Sequence, residues 1–421
     1  MVCPDFAGTI FRKTQKHFEK KSDHCRGGAA GKEAMIHVAI VGTGGICHSH
    51  IKGLLTFPER CRIVALCDIV PGKAQQVKEQ YHLDCAVFED HKEMLEAGLP
   101  IDLVHVCTPP FAHAEVSIHA MEAGCNVLCE KPMAASLAEC DAMLRAEKEN
   151  GVVLGQVAQN RFTNPYWKLK KVLDSGLAGK ICSVQINSDW WRGHCYYDLW
   201  WRGTWEKECG GPTLNHAVHH IDLLNWLEGG LPEKTASMLT NVMHDNSEVE
   251  DLSEAIMKYA NGSLASVTSS VVHHGEEQSI IVQCANAKLS APWNPKAEVS
   301  MGNGFPADGG NKALLKELEN AYQAIPDLKY TGHTGEIDDL LSALEKGTRP
   351  LITGVDGKRT VEMITAIYKA GFTDQVVKLP ILPEDEYYRG DGIQKNAIHF
   401  YKKGKALESL SAEEIKVEAV Q

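Results

Sequence analysis

The junction at residues 36–47 limits what this chain can fold into more than any other segment. The β-branched run Ile36–Val41 leads straight into Gly42-Thr43-Gly44-Gly45-Ile46-Cys47, and a helical period follows from about Ile46. A strand, a glycine turn and a helix in immediate succession open a βαβ unit. The rhythm then continues. Ile63–Cys67, Leu103–Cys107, Asn126–Cys129 and Val152–Gln156 are short apolar runs, and Gly72–Tyr81, Ala112–Ala123 and Leu137–Asn150 carry helical periods. Strands alternating with helices predict right-handed crossovers and a parallel sheet. Apolar runs without alternation suit strands covered on both faces.

After Gln159 the pattern changes. Pro165–Ser175 reads as a helix. Ser253–Tyr259 and Ser263–Val271 flank Ala260-Asn261-Gly262, a hairpin signal, and Ser279–Gln283 with Lys288–Ala291 read as another antiparallel pair. Helical periods return at Gly335–Glu345 and Gly357–Ala370. The expected fold class is α/β: a doubly wound parallel sheet of Rossmann type over residues 35–158, then an α+β domain with a large, mainly antiparallel open sheet over residues 159–382. Residues 383–421 read as a tail without a clear partner element. Residues 1–34 carry lysines and a glycine-rich end but no continuous apolar stretch, and read as a disordered extension rather than a secretory signal.

Composition removes several functions. A net charge of −12 without a basic stripe argues against nucleic acid and anionic membranes as partners. No run approaches the roughly 18 apolar residues of a membrane helix. Fourteen cysteines without a CxxC pair read as reduced, buried small hydrophobes, which points to the cytoplasm.

In the glycine turn, Gly42 permits the tight bend and Gly44 lets the backbone approach a pyrophosphate, which rests on the helix N-terminus. The third small position holds Cys47, bulkier than glycine. Asp68 ends the second strand, where its carboxylate can accept hydrogen bonds from the adenosine ribose hydroxyls. It would repel a 2′-phosphate, and Ile69 and Val70 offer no cation, although Lys73 stands near. NAD is therefore expected over NADP.

Three further segments accumulate: Cys107-Thr108-Pro109-Pro110 through His113, Cys129-Glu130-Lys131-Pro132, and Gly210-Gly211 through His219 and Asp222. With the glycine turn, and from about Met35 to about Pro380, they resemble the Gfo/Idh/MocA family of oxidoreductases. The resemblance implies NAD- or NADP-dependent chemistry on sugars, sugar derivatives or cyclitols, and a homo-oligomer built through the second sheet. It carries the catalytic lysine onto Lys131 and a histidine onto His219. The usual acidic position holds Asn215, which can orient a hydroxyl but cannot take its proton as a carboxylate would. The implied cofactor contacts are Gly42, Thr43, Gly44, Gly45, Ile46 and Asp68 in the first unit, then Thr108, Pro109, His113, Glu130 and Lys131. Gln159, Trp201 and Arg202 complete them. The family turn also implies a cis Lys131–Pro132 bond.

Trp190-Trp191-Arg192-Gly193 and Trp200-Trp201-Arg202-Gly203 form a near-repeat around Tyr196 and Tyr197. Aromatic faces suit the C–H face of a sugar ring, and arginine forks suit hydroxyls or a carboxylate. The candidate substrate contacts are Lys131, Asn160, Arg161, Arg192, Tyr197, His216, His219 and His333. His216, His219, His220 and Asp222 invite a metal reading, but the spacing lacks the HExxH glutamate and a defined third ligand, so no metal is expected. Two enzymatic functions compete. One is a dehydrogenase acting on a secondary ring hydroxyl. The other is a redox-neutral NAD-dependent glycosidase working through a keto-sugar. A nucleotide sensor without turnover would have no need of Lys131 and His219.

Overall fold

The computed structural model describes residues 35–407. The expectation for residues 1–34, and that for the chain beyond residue 407, lie outside the described residues. Six parallel strands form the first sheet in the order β3-β2-β1-β4-β5-β6. They are β1 (Ile36–Val41), β2 (Cys61–Cys67), β3 (Ala86–Phe88), β4 (Leu103–Val106), β5 (Asn126–Cys129) and β6 (Leu154–Gln156). Helices α1 (Cys47–Leu55), α2 (Lys73–Gln80), α3 (His91–Glu96), α4 (Pro110–Glu122) and α5 (Leu137–Asn150) connect them. The order reverses between β1 and β4, and ligands of such sheets sit outside the strand ends at that switch point. The three residues of β3 and the short α3 escape the sequence pattern, because neither is long enough to show a period.

The second sheet has seven strands in the order β12-β11-β7-β10-β9-β8-β13. They are β7 (Ile181–Asp189), β8 (Lys234–Thr240), β9 (Leu252–Lys258), β10 (Leu264–Ser270), β11 (Gln278–Cys284), β12 (Lys288–Ala291) and β13 (Val377–Lys378). The β9–β10 hairpin closes with Lys258 opposite Leu264, as the Asn-Gly signal predicts. All pairs are antiparallel except β7 with β10. One face is apolar and buried, with Val184, Ile186, Ala255, Met257, Val267, Ile280 and Val282 in its core. It packs against helices α6 (Asn164–Asp174), α7 (Pro212–Asn215) and α8 (Val218–Glu228).

Of the later helices, α9 (Lys312–Ala324) lies against α6, α10 (Gly332–Lys346) returns to the first sheet, and α11 (Gly354–Thr373) bridges the two cores, with Met363, Ile364 and Ile367 in that of the second sheet and Val361, Ala366 and Ala370 in that of the first. Ile337, Leu340 and Leu341 of α10 share a core with Ile40, Ile51 and Leu66, although about 270–300 residues of chain separate them. A side chain at Gly53 would come within 2.5 Å of Ile337 Cδ1, so the α1–α10 contact is close. The residues after Leu382 also have partners. Tyr387, Tyr388 and Ile393 are buried, and α12 (Gly392–Asn396) follows them. Lys403 Nζ donates to the carbonyls of Tyr197 and Arg202, and Trp205 Nε1 donates to Ile398 O at 3.1 Å. Backbone bonds add to these, Trp200 N to Leu407 O at 2.9 Å and Leu407 N to Asp198 O at 2.8 Å, and local periodicity carries no trace of this strap because its partners lie about 150–200 residues away in the chain.

Candidate active site

The glycine turn is tight. Gly42 has φ +92°, and a Cβ there would lie 2.6 Å from the Cys107 carbonyl, against the loop after β4. Above Gly44 and Gly45 the space is open, with nothing within 4 Å of an added Cβ. Cys47, at the small position, is fully buried. Thr43 donates from both its N–H and its hydroxyl to Asp68 Oδ2 at 2.8 Å, and Val70 N donates to Oδ1 at 3.0 Å. Lys73 Nζ lies 3.2 Å from the same carboxylate. Burial opposes the charge on Asp68, but these donors and Lys73 outweigh it and hold its carboxyl below the usual value. Thr108 Oγ1 and Gln159 Oε1 are buried without a protein partner. Buried polar atoms without partners need an explanation, and a dinucleotide carrying ribose hydroxyls and an amide would supply partners. The residues present therefore fit the cofactor that the turn predicts.

The strand ends are tied together by histidines. His113 spans Thr108 O and Pro132 O, at 2.7 Å from each. Glu130 sits between His50 Nε2 at 2.9 Å and His333 Nε2 at 3.4 Å, and His50 Nδ1 meets His105 Nδ1 at 2.9 Å. Burial opposes its charge, yet His333 and His50 hold the Glu130 carboxyl well below the usual range. His333 thus faces Glu130, and His50 and His105 join a network that sequence reasoning missed. Their only sequence signal is helical phase and strand position behind the glycine turn. The Lys131–Pro132 bond is cis, as expected.

Lys131 Nζ reaches the backbone carbonyl of Asn215 at 3.4 Å. Burial is the largest influence on Lys131 and lowers its pKa; Glu130 pulls the other way. Gly211 has no room for a side chain, since a Cβ would lie 2.2 Å from Glu250 O, and this close approach sets the start of α7. Asn215 Nδ2 donates to Gly210 O at 2.8 Å, which directs its amide. His219, the second residue of α8, is pushed well below the usual histidine value, by burial first and then by Lys131. His216 falls to about 3 through burial and through Arg192, Lys131 and Arg202. His220 points elsewhere, toward Tyr166. A small cavity behind Lys131 and His219 is also lined by Gln156, Asp222 and Thr360.

Two expected substrate contacts lie in the interior. Arg161 is 2% exposed and is gripped by both Asp222 oxygens at 2.7 and 2.8 Å, with Asp356 Oδ1 at 3.3 Å. The correction has a simple cause: two carboxylates from α8 and α11 converge on it, and sequence spacing cannot reveal that. Tyr197 is buried against Tyr196 and His244. Asn160, beside Gln159, remains half-buried. Trp190, Arg192, Tyr196, Trp201 and Arg202 pack together next to His216. Arg202 stacks on Tyr196 and Trp201 and pairs with Glu208 at 2.6 Å. Glu208, like His50, was not foreseen.

A glycine turn at the switch point, an aspartate at the end of β2, and Lys131 after β5 near His219 of α8 are the arrangement of the NAD-binding oxidoreductases. Residues 36–158 match the oxidoreductase family with an NAD-binding Rossmann fold, and residues 166–290 match the GFO/IDH/MocA C-terminal domain. The chain belongs to this family. A 2,7-anhydro-N-acetylneuraminate hydratase from Mediterraneibacter gnavus is 26% identical over 379 residues, covering 81% of this chain and 96% of its own. An inositol 2-dehydrogenase from Salmonella typhimurium is 32% identical over 195 residues, 46% of this chain; this chain spans about half of that relative, 54%. The WlbA dehydrogenase from Bordetella pertussis, solved with NADH and UDP-GlcNAcA, superposes with a TM-score of 0.71 at 26% identity, covering 84% of this chain and all of that one.

Proposed function

We propose that the protein oxidises a secondary ring hydroxyl of a sugar, glycoside or cyclitol, with NAD as the hydride acceptor. The observation that carries this reading is the meeting of Lys131, from the end of β5, with Asn215 and His219, from α7 and α8, beside the glycine turn. Gly42–Gly45, Asp68, Thr108 and Gln159 would hold the cofactor, which supplies the hydride-accepting ring. Lys131 Nζ takes the hydroxyl proton. Burial favours its neutral form, and a neutral amine is what a base must be. His219 stays neutral and offers a ring nitrogen to orient the hydroxyl. Asn215 Oδ1 is left free by the amide's bonds to Gly210 and Gly211 and accepts from a second hydroxyl. Trp190, Tyr196 and Trp201 present faces for ring C–H groups.

The inositol 2-dehydrogenase and the WlbA dehydrogenase support oxidation of a ring hydroxyl. The hydratase relative favours a second reading, in which the oxidised ring undergoes elimination and is then reduced again. A homo-oligomer through the outer face of the second sheet fits the exposure of Met238, Ile256 and Leu264 there. A reducing compartment such as the cytoplasm suits the buried thiols among the described residues, such as Cys47, Cys67, Cys107 and Cys140.

The test is NADH formation across free sugars, cyclitols and glycosides, with Lys131→Ala as the control. Steady NADH supports the dehydrogenase. Release of aglycone or an anhydro product without net NADH supports the second reading. Turnover that survives in Lys131→Ala rejects the site.

A further inference from the structure

The wall beside Lys131 holds more cationic donor capacity than the protein itself uses. Arg202 lies with its guanidinium carbon 4.1 Å from the Trp201 ring centroid and 4.2 Å from that of Tyr196. Its Nη1 donates to Glu208 Oε1 at 2.6 Å, while Glu208 Oε2 is taken by Gly203 N at 2.5 Å. Arg202 Nε is buried and has no acceptor. A buried N–H on a cation is costly to leave unpaired. The Nε–Nη2 edge of a guanidinium is also an edge that can grip an oxyanion with two parallel bonds.

Arg192 stands across the same ring, 5.6 Å from the Tyr196 centroid and 5.4 Å from that of Trp190. It spends Nη1 on the Trp191 carbonyl and on Glu276, whose side chain is 45% exposed. An ion pair that open to water is weak and can exchange for a ligand. His216 packs near Trp190 and Tyr196, and its Nδ1 is buried and unpartnered. Arg192, Lys131 and Arg202 all lie near enough to disfavour a charge on His216. Two aromatic-stacked arginines and the active-site lysine therefore surround a neutral histidine. Each arginine spends only its Nη1 on a carboxylate, Arg202 on Glu208 and Arg192 on Glu276.

We propose that Arg202 and Arg192 form an anion subsite beside Lys131, so that the substrate ring carries an acidic group, a carboxylate or a phosphate. The inference rests on the ring-oxidation reading for the ring itself; the anion preference comes from the arginines. It also accounts for the two orphaned groups: the oxyanion takes the Arg202 edge, and a neighbouring hydroxyl takes His216 Nδ1.

The experiment is calorimetric titration of the full chain saturated with NAD. The probes are glucuronate, galacturonate and N-acetylneuraminate, each against its neutral amide, and glucose 6-phosphate against glucose. At least one acid should bind ten-fold or more tightly than its neutral counterpart. That ratio should fall to within about three-fold in Arg192→Gln and in Arg202→Lys, which keeps the charge but loses the fork. Preference for a carboxylate or for the phosphate identifies the source of the anion. Arg192 is on the rim, so Arg192→Gln remains informative if Arg202→Lys unfolds. Equal or weaker binding of every acid, or a ratio that survives in Arg192→Gln, overturns the proposal. If Arg202→Lys loses NAD affinity but keeps the acid preference, its free edge belongs to the cofactor and the two-arginine subsite is rejected. NADH formed only from neutral rings sinks the subsite and leaves the oxidation reading standing. Acid preference without NADH from any ring does the reverse.

Discussion

Lys131 Nζ lies 3.4 Å from the main-chain oxygen of Asn215, joining the end of a strand in the first sheet to a helix of the second domain. A carbonyl accepts from an ammonium, yet it leaves a neutral amine free to turn its lone pair toward a substrate. Lys131→Ala should lower turnover by about 10²–10⁴-fold, the usual contribution of a positioned base. The NAD dissociation constant should hardly change, since the phosphates are expected at Gly42–Gly45. A variant keeping more than about a tenth of wild-type turnover, with chemistry rate-limiting, would show that Lys131 is not the base.

The pH dependence follows from the direction of the Lys131 shift. Its pKa is lowered by burial, and the base must be neutral. In the oxidative direction kcat/KM should therefore rise with pH and level off below 10.5, the ordinary lysine value. In the reductive direction the protonated amine is needed, so the rate should fall through the same range. Stability shares this sign. The folded state binds fewer protons than the unfolded state between the two pKa values, so stability rises with pH there. Lys131→Met should remove that slope and raise Tm at neutral pH. A melting profile identical to wild type across pH 6–10 would contradict the buried, strained amine.

The two glycines of the turn should separate folding from binding. A Cβ on Gly42 would meet the Cys107 backbone at 2.6 Å, at a φ of +92° that a side chain rarely adopts. Gly42→Ala should cost more than about 1 kcal/mol of stability, measured by denaturant unfolding. Gly45 is exposed and has open space above it. Gly45→Ala should melt near wild type but bind NAD more weakly. Loss of stability in both variants would count against a phosphate cradle.

Cofactor preference should turn on Asp68. Asp68→Ser with Ile69→Arg removes the carboxylate and adds a cation, and should move the NAD-to-NADP ratio by about 1–3 kcal/mol. Lys73, now 3.2 Å from Asp68, is released by the same change and adds to it. Dissociation constants showing tighter NADP binding by the wild-type protein would refute the assignment.

Arg161 should behave as a structural residue. Its guanidinium is buried between Asp222 and Asp356, and removing one member of a buried ion pair typically costs about 3–5 kcal/mol. Arg161→Met should therefore lower stability strongly. An effect confined to KM, with stability intact, would restore it to the substrate site.

Much of the first sheet was legible in the chain, because each of its longer strands is a continuous apolar run and each long helix has a period. The glycine turn and the places of Asp68 and Lys131 were legible for the same reason: each depends on local order, a turn after a strand or a residue at a strand's end. The β9–β10 hairpin was equally local. What the sequence could not determine was every pairing made across long separations. Arg161 pairs with Asp222 and Asp356, Glu130 lies between His50 and His333, and Lys403 holds the loop carrying Arg202. Each depends on which helix packs over which sheet. Nor does local pattern place α10 back on the first sheet or α11 between the two cores, since an apolar face would suit either core. Sequence order determined what each segment is and where a dinucleotide can rest. Tertiary packing decided which charged groups were buried together, because only burial in three dimensions makes a carboxylate choose one arginine and leaves another with an unpaired edge.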